Sequence, residues 1–297
     1  MSSIRGKTSI NDIMNRPYKQ KKEPLPQLSI ERLEQLRTLF LKKNWPVEED
    51  VELSVFERFY KTLSMLDDSE QDFLIDLTFK FDHIPLSNYL SFMKGPLQQL
   101  RSDAGNDKLL FVTCTPKEDV GCVKSSSTVL YQLKGTTIKQ QVNLNPYVVV
   151  DNITRVPLYK IDKETKIVLV DDFVGTGDTA VAAINYINEL LPGMTDNTQI
   201  VVFCIVAQRQ GIDRLNGIGV KTYYAIERKK AISEEMKAGN RVAANSLMQG
   251  IENRIKKLKP AYRFGYKGSE ALVCLERCPN NTFPVYWLTK NVAPYER

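Results

Sequence analysis

Histidine is almost missing: His83 is the only one in 297 residues. With one histidine in the whole chain, Cys274 and Cys278 do not make a zinc site. His83 lies in FKFDHIPL, inside a stretch that reads as helical, so packing or surface exposure is expected of it rather than general base catalysis. Cysteine is sparse too. The five thiols (Cys114, Cys122, Cys204, Cys274 and Cys278) are odd in number and include no CxxC pair. They read as reduced, mostly buried groups of a cytosolic protein, not as a disulfide framework. Long apolar runs are absent. The longest, Ile200 to Ala207, is far short of the roughly 20 residues a bilayer-spanning helix needs. The first residues, MSSIRGKTSINDIMNRPYKQKKEPLPQ, have no apolar core and are not a secretory signal. A soluble, cytoplasmic chain with no membrane partner is expected.

What remains is an ordinary globular composition. Apolar residues make up 42%, enough for a real core, and the net charge of +6 makes room for an anionic partner. The length exceeds the usual domain of roughly 100–200 residues, so one large or two smaller domains fit. No internal repeat or low-complexity segment is present. Residues 1–26 read as a flexible basic tail, either a solvated leader or an arm that touches nucleic acid. Residues 27–105 read as a helical N-terminal region. Leu33, Leu36 and Phe40 recur at helical spacing, as do Phe56, Phe59 and Leu63, and DDSE opens a helix carrying Phe73, Leu74 and Leu77. Tyr89, Met93, Leu97 and Leu100 form another stripe, which Gly95-Pro96 should break or kink. No basic recognition helix stands out, so this region is expected to pack as a bundle or cap.

The pattern changes over residues 106–297. Strand signals at Lys108–Thr115, Ile167–Val170, Gln199–Val206, Gly219–Ile226 and Ala271–Leu275 alternate with helical ones at Val123–Lys134, Thr179–Leu191 and Arg241–Leu258. YVVVD and RVPLYK read as a hairpin joined by Asn152-Ile153-Thr154. Strand alternating with helix predicts an α/β fold with a mostly parallel sheet.

The most informative stretch is KIVLVDDFVGTGDTAVAAI. Asp171 and Asp172 sit together at the carboxyl end of a strand, where open parallel sheets bind ligands. Gly175 and Gly177 allow close backbone approach. The following helix points free N–H groups and its positive dipole end at the same loop, and Thr176 and Thr179 add hydroxyls. The loop suits one phosphate, and the carboxylates suit hydroxyls or a hydrated metal. A ribose 5-phosphate carries both features. Other readings stay open. GTGDTA matches the loose dinucleotide pattern G-x-G-x-x-A, but the next strand ends Val206-Ala207-Gln208-Arg209 without the acid that pattern wants. A phosphoacceptor pocket also uses paired acids, though it needs no such loop. Asp178 and Thr179 could simply cap the helix, which leaves Asp171-Asp172 unexplained.

VLVDDFVGTGDT resembles the phosphoribosyl pyrophosphate signature of type I phosphoribosyltransferases. The resemblance implies that fold, with Asp171 and Asp172 on the ribose hydroxyls as the catalytic acids. Phe173, Val174, Gly175, Thr176, Gly177, Asp178 and Thr179 would shape the 5-phosphate loop. Purine-salvage members open the loop with an Asp that acts on the purine ring; Gly175 stands there, so base specificity does not transfer. The family also needs a pyrophosphate loop, and Lys124 with Ser125, Ser126 and Ser127 is the candidate, against a plain serine N-cap. Mg²⁺ is the implied cofactor, carried by the substrate; it usually keeps several waters, so Asp171 or Asp172 need not touch it directly. FGYKGSEALVCLERCPNNTFPVYW, through Pro279, Asn280, Asn281, Thr282 and Trp287, resembles phosphoribosyltransferase-like proteins of bacterial conflict and retron-associated defence systems. That implies an antiphage effector or accessory role, with nucleic acid or a reverse-transcriptase complex as partner, or a homodimer. The competing class is a non-catalytic module that senses a ribose phosphate and regulates nucleic acid or a protein. Its candidate contact is the basic segment Arg254, Lys256, Lys257, Lys259, Arg263 and Lys267, for which the more ordinary reading is a solvated face over the apolar stripe Leu247, Ile251, Ile255 and Leu258.

Overall fold

The computed structural model describes residues 27–47, 54–193, 196–290 and 292–297; the basic tail lies outside them. Alternation along three apolar strands sets the layers. In β2 (Lys108–Thr113), Leu109 and Phe111 enter one core while Leu110 and Val112 enter another. In β4 (Thr165–Val170), Val168 and Val170 part from Ile167 and Leu169 in the same way. Every residue of β6 (Ile200–Gln208) is buried. Strands covered on both faces are the mark of a parallel sheet, and every pairing in the main sheet is parallel. β3 (Tyr147–Val149) lies beside β2, then come β4, β6 and β7 (Lys221–Arg228). The two-residue β5 (Phe173–Val174) continues the line of β4 along β6. The α/β architecture with a mostly parallel sheet and N-terminal helices is therefore what the chain forms.

One face of the sheet is covered by α4 (Tyr89–Ala104), α5 (Ser125–Gln132) and α6 (Thr136–Gln141). The other is covered by α7 (Asp178–Leu190) and α8 (Arg209–Asn216), through Ala183, Ile184, Ile187, Ile212 and Leu215. A third core joins α1 (Ile30–Lys43), α2 (Val55–Leu63) and α3 (Asp68–Phe79) to α9 (Ala238–Asn253) and the C-terminal segment. Edge-on ring contacts among Phe40, Trp45, Phe59 and Tyr295 run through it. Ser54 with Glu57, and Asp67 with Glu70, form complete capping boxes that start α2 and α3.

Four expectations from the sequence are corrected. Gly95-Pro96 does not end α4, which runs unbroken to Ala104. The buried stripe of Tyr89, Met93, Leu97 and Leu100 outweighs one lost backbone donor. The 147–160 hairpin does not form. Residues Ile153–Leu158 make a 3₁₀ turn, begun by Asn152 accepting from the Thr154 N–H, and Pro157 has no N–H to give to a ladder. The basic helix expected at 241–258 ends at Asn253, with Lys257 at a left-handed φ of 63°. Finally, the strand expected at 271–275 is reduced to β8 (Val273–Cys274), which pairs with β1 (Asp82–His83) outside the main sheet. His83 therefore sits on a strand, not a helix, against the rings of Trp45 and Tyr295.

Candidate functional site

The two aspartates interrupt a strand without leaving it. Val170 pairs with Phe203 and Phe173 with Val206, so the register along β6 is the same on either side. Between them the Asp171 N–H donates to the Phe203 carbonyl at 2.9 Å, and the Asp172 carbonyl accepts from Ile205 and Val206 at 3.1 Å each. The backbone is thus satisfied at the sheet's carboxyl end, and the side chains are free to differ. Asp172 is buried: its Oδ1 accepts from Ser125 Oγ at 2.7 Å and its Oδ2 from the Tyr89 hydroxyl at 3.5 Å. The Glu276 N–H in turn donates to Tyr89 at 3.0 Å. Asp171 is half-buried, and its Oδ1 accepts the Asp172 N–H at 2.9 Å. Burial, and then the neighbouring charge of Asp172, push the Asp171 carboxyl well above the usual carboxylate range. Burial raises Asp172 as well, against the pull of Ser125. Asp172 is the braced member, and Asp171 is the more exposed of the two.

Beyond the pair the chain turns at Gly175–Gly177 into α7. Gly177 is the N-cap at φ 80°, a left-handed conformation that suits glycine and leaves no side chain at the cap itself; the Thr176 hydroxyl accepts from the Asp178 N–H at 3.5 Å. Capping by Asp178 or Thr179 therefore does not account for the motif. Asp178 instead makes a charged cluster: it accepts from Lys267 Nζ at 2.8 Å, from Thr176 Oγ1 at 2.9 Å and from Arg214 of α8. Burial works against its charge, but these three donors bring its pKa down to about 2. Gly175 is pressed from outside. A Cβ there would collide with the Asn281 carboxamide, so a side chain at the loop's first position has no room.

Two adjoining cavities of about 280 Å³ and 290 Å³ share Asp171, Phe173, Thr179, Asn280 and Asn281, and so form one cleft. The first holds the glycine loop from Phe173 to Thr179, with Tyr266. The second holds Asp172, Lys124, Ser125 and Ser126, facing Arg277 and Arg297. Lys124 Nζ pairs with Asp119 at 2.7 Å. Ser126 is buried, whereas Ser127 is exposed and lines neither cavity. The serine cap reading of this segment fails, because the N-cap of α5 is Lys124 and no side chain bonds there. Among the basic residues after α9, Arg254 is held by Glu70 at 2.7 Å and Asp67 at 3.2 Å. Lys256, Lys257 and Lys259 are exposed, and none of the four lines the cleft. Among the described residues no cluster of three or more His, Cys, Asp or Glu is arranged to hold a metal.

Sequence reasoning missed Arg214, Arg277 and Arg297, read Tyr89 only as part of an apolar stripe, and read Lys267 only as part of a basic segment. Single polar residues far apart carry no local pattern. Asn280 and Asn281 were visible as a motif, but without a role.

The wall that carries Tyr266 and Lys267 is anchored on a buried acid. Glu252, near the end of α9, accepts the Phe264 N–H at 2.7 Å, with Arg263 Nη1 3.8 Å away. Burial raises Glu252 to about 7, against the pull of Phe264 and Arg263. A raised carboxyl gives stability that is complete below its unfolded pKa of about 4.3 and is lost as pH rises through about 7. Glu252→Gln is expected to flatten the melting temperature between pH 5 and 8 and to raise it at pH 8. Calorimetric melts showing an unchanged slope would rule out Glu252 as its source.

A model of the PRTase-CE family matches residues 61–296. The chain belongs to the PRTase-CE family. The matched span of this PRTase-CE protein runs from within α2 to the C-terminal segment and takes in every strand of the main sheet. It also contains Asp171, Asp172, the glycine loop and Arg277. Among solved structures, the PRTase-CE chain is similar to an orotate phosphoribosyltransferase from Aeropyrum pernix, at 16% identity over 65% of this chain and 93% of that one, with a TM-score of 0.28. It is also similar to the AQ2163 protein from Aquifex aeolicus, at 12% identity over 73% and 97%, with a TM-score of 0.29. No curated protein matches it.

Proposed function

We propose that the cleft binds phosphoribosyl pyrophosphate or a related ribose phosphate, and transfers or hydrolyses its phosphoribosyl group. One observation carries the reading: the acidic pair lies midway along a single cleft, with an uncapped helix start at one end and two arginines at the other. A 5-phosphate would take the N–H groups of the glycine loop. The ribose hydroxyls would donate to Asp171, which Asp172 holds in place. Pyrophosphate would lie against Arg277, Arg297 and Lys124. Breaking the C1–oxygen bond leaves positive charge on the sugar and negative charge on the leaving group. Asp171 lies on the side of the first charge and the arginines on the side of the second.

The donor set also fits Mg²⁺ brought in by the substrate. Asp172 is occupied by Ser125 and Tyr89, so Asp171 offers the free carboxylate oxygen, and one carboxylate plus phosphates is a usual environment for this ion. The ion would neutralise phosphate charge. A place in retron-associated antiphage defence, with nucleic acid or a reverse-transcriptase complex as partner, is the biological half of the proposal. It is supported by the motif around Pro279–Thr282.

Titration calorimetry with phosphoribosyl pyrophosphate and Mg²⁺ tests the reading. Saturable binding is expected. Arg277→Ala with Arg297→Ala should weaken it by roughly 10- to 100-fold, as expected when charged hydrogen bonds are lost, while changing ribose 5-phosphate binding little. No heat with either ligand would end the proposal. Release of pyrophosphate in the same samples separates an enzyme from a sensor.

A further inference from the structure

The carboxamide of Asn281, like the buried Ser126 hydroxyl, is an unsatisfied polar group in the cleft. The residue is only 7% exposed, and its Nδ2 is buried without a hydrogen-bond partner. Leaving a buried amide donor unpaired is unfavourable, and such groups in folded proteins call for an explanation. Relaxation of the backbone does not supply one, because Asn281 is clamped. Its carbonyl accepts Ser269 Oγ at 2.9 Å and the Ala271 N–H at 3.1 Å. The Ser269 carbonyl is held by Gln208 of β6 at 2.7 Å. Two glycines make room for it: a Cβ on Gly265 would strike the Asn281 carbonyl, and one on Gly175 would strike its carboxamide. The side chain is thus fixed over the first residue of the glycine loop. It lines both cavities, with its free donor beside the uncapped start of α7. An acceptor on a bound ligand would complete it.

We propose that Asn281 selects the ligand of the glycine loop, donating from Nδ2 to an oxygen of the phosphate where it joins the sugar. This inference rests on the ribose-phosphate reading above and goes beyond it. The loop's negative side chain, Asp178, is already matched by Lys267 and Arg214. A neutral donor at position 281 therefore adds recognition without adding charge. A carboxylate there would oppose the phosphate.

The test is calorimetric titration of ribose 5-phosphate and of inorganic phosphate into wild type, Asn281→Ala and Asn281→Asp, with thermal melts of each. For Asn281→Ala, roughly 10-fold weaker binding of both probes is expected, in line with one lost hydrogen bond to a charged group. Asn281→Asp keeps the size of the side chain and decides the matter alone if the alanine variant fails to fold. Its loss should be larger, and should grow relative to wild type from pH 5 to pH 8 as the new carboxyl ionises. A purely structural residue would not give that widening. A further check is Gly175→Ala, which should lower the melting temperature, with Asn281→Ala added to restore it without restoring affinity. If wild type binds ribose 5-phosphate and both Asn281 variants match it within about twofold, less than a typical net hydrogen bond is worth, the inference is overturned and the ribose-phosphate reading survives. If wild type binds neither probe, this inference falls, and the ribose-phosphate reading is decided by the phosphoribosyl pyrophosphate titration.

Discussion

Asparagine in place of both Asp171 and Asp172 is expected to raise the melting temperature at neutral pH and to abolish ribose-phosphate binding. The two effects have one cause. Burial holds both carboxyls above their ordinary range, and the charge of Asp172 raises Asp171 further, so the folded state binds protons more tightly than the unfolded chain does. Their stabilising contribution is complete below the usual carboxylate pKa of about 4 and is lost as pH rises through the folded values. At pH 7, above the ordinary carboxylate pKa, that contribution is reduced or gone and the pair opposes folding relative to acid pH. Asp171→Asn removes one of the two carboxyls and keeps an acceptor for the Asp172 N–H, so it is the cleaner variant for stability. In large domains each kcal/mol regained shifts the midpoint by roughly 2–4 °C. The gain should shrink as pH falls toward 4, where the wild-type acids are themselves protonated. Binding moves the other way, because amides cannot supply the negative charge that places the sugar and its ion. A loss of more than about 100-fold is expected for the double variant, the scale of two or more charged hydrogen bonds. A lower melting temperature at pH 7 would remove the electrostatic account. Unchanged affinity would remove the ribose assignment.

Gly211→Ala should damage the cleft without touching a ligand. Gly211 is buried in α8, and a methyl on it would collide with the Gly175 carbonyl and lie 2.9 Å from Val174 Cγ1. Helix propensity alone favours alanine by up to about 1 kcal/mol. Overpacking costs about 1–3 kcal/mol, and here the obstacle is backbone, which has no rotamer to change. The clash is expected to win. Ile212 and Leu215 hold α8 against the sheet, so the glycine loop gives way instead. Ribose-phosphate affinity should fall by at least about tenfold, since small displacements of a positioning loop are costly, and the melting temperature should drop. Gly239→Ala is the control, because no atom lies within 4 Å of the added Cβ. It should be neutral or mildly stabilising. A Gly211→Ala protein as stable and as tight-binding as wild type would show that this contact does not set the loop.

Where the sequence was legible, the signal was local. Alternation in β2 and β4, the unbroken apolar run of β6 and the helical stripe from Tyr89 to Leu100 each follow from neighbouring side chains. The strand–acid–glycine–helix order of 166–184 could be placed for the same reason: loop and helix start are contiguous, so chain direction alone brings carboxylates and free N–H groups together. The failures were also local readings, overruled by packing. Pro96 stays in a helix because the buried face outweighs one missing donor. RVPLYK looks extended but turns, because Pro157 cannot join a ladder. Residues 271–275 look like one more sheet strand, yet pair with Asp82–His83 on a separate ribbon.

What only the folded chain decided is the other half of the cleft. Tyr89 braces Asp172 across 83 positions of sequence, and Lys267 reaches Asp178 across 89. Arg277, Arg297 and Asn281 arrive from the C-terminal segment, which folds back over the carboxyl ends of the strands. Periodicity announces Tyr89 only as a packing residue and the others not at all, and each acquires its role from what faces it. Periodicity reports which side of an element is buried, so it could reveal the layers and the acidic strand end. It cannot report which distant polar atom completes a site, because that contact is made by topology and by burial of the cores behind it.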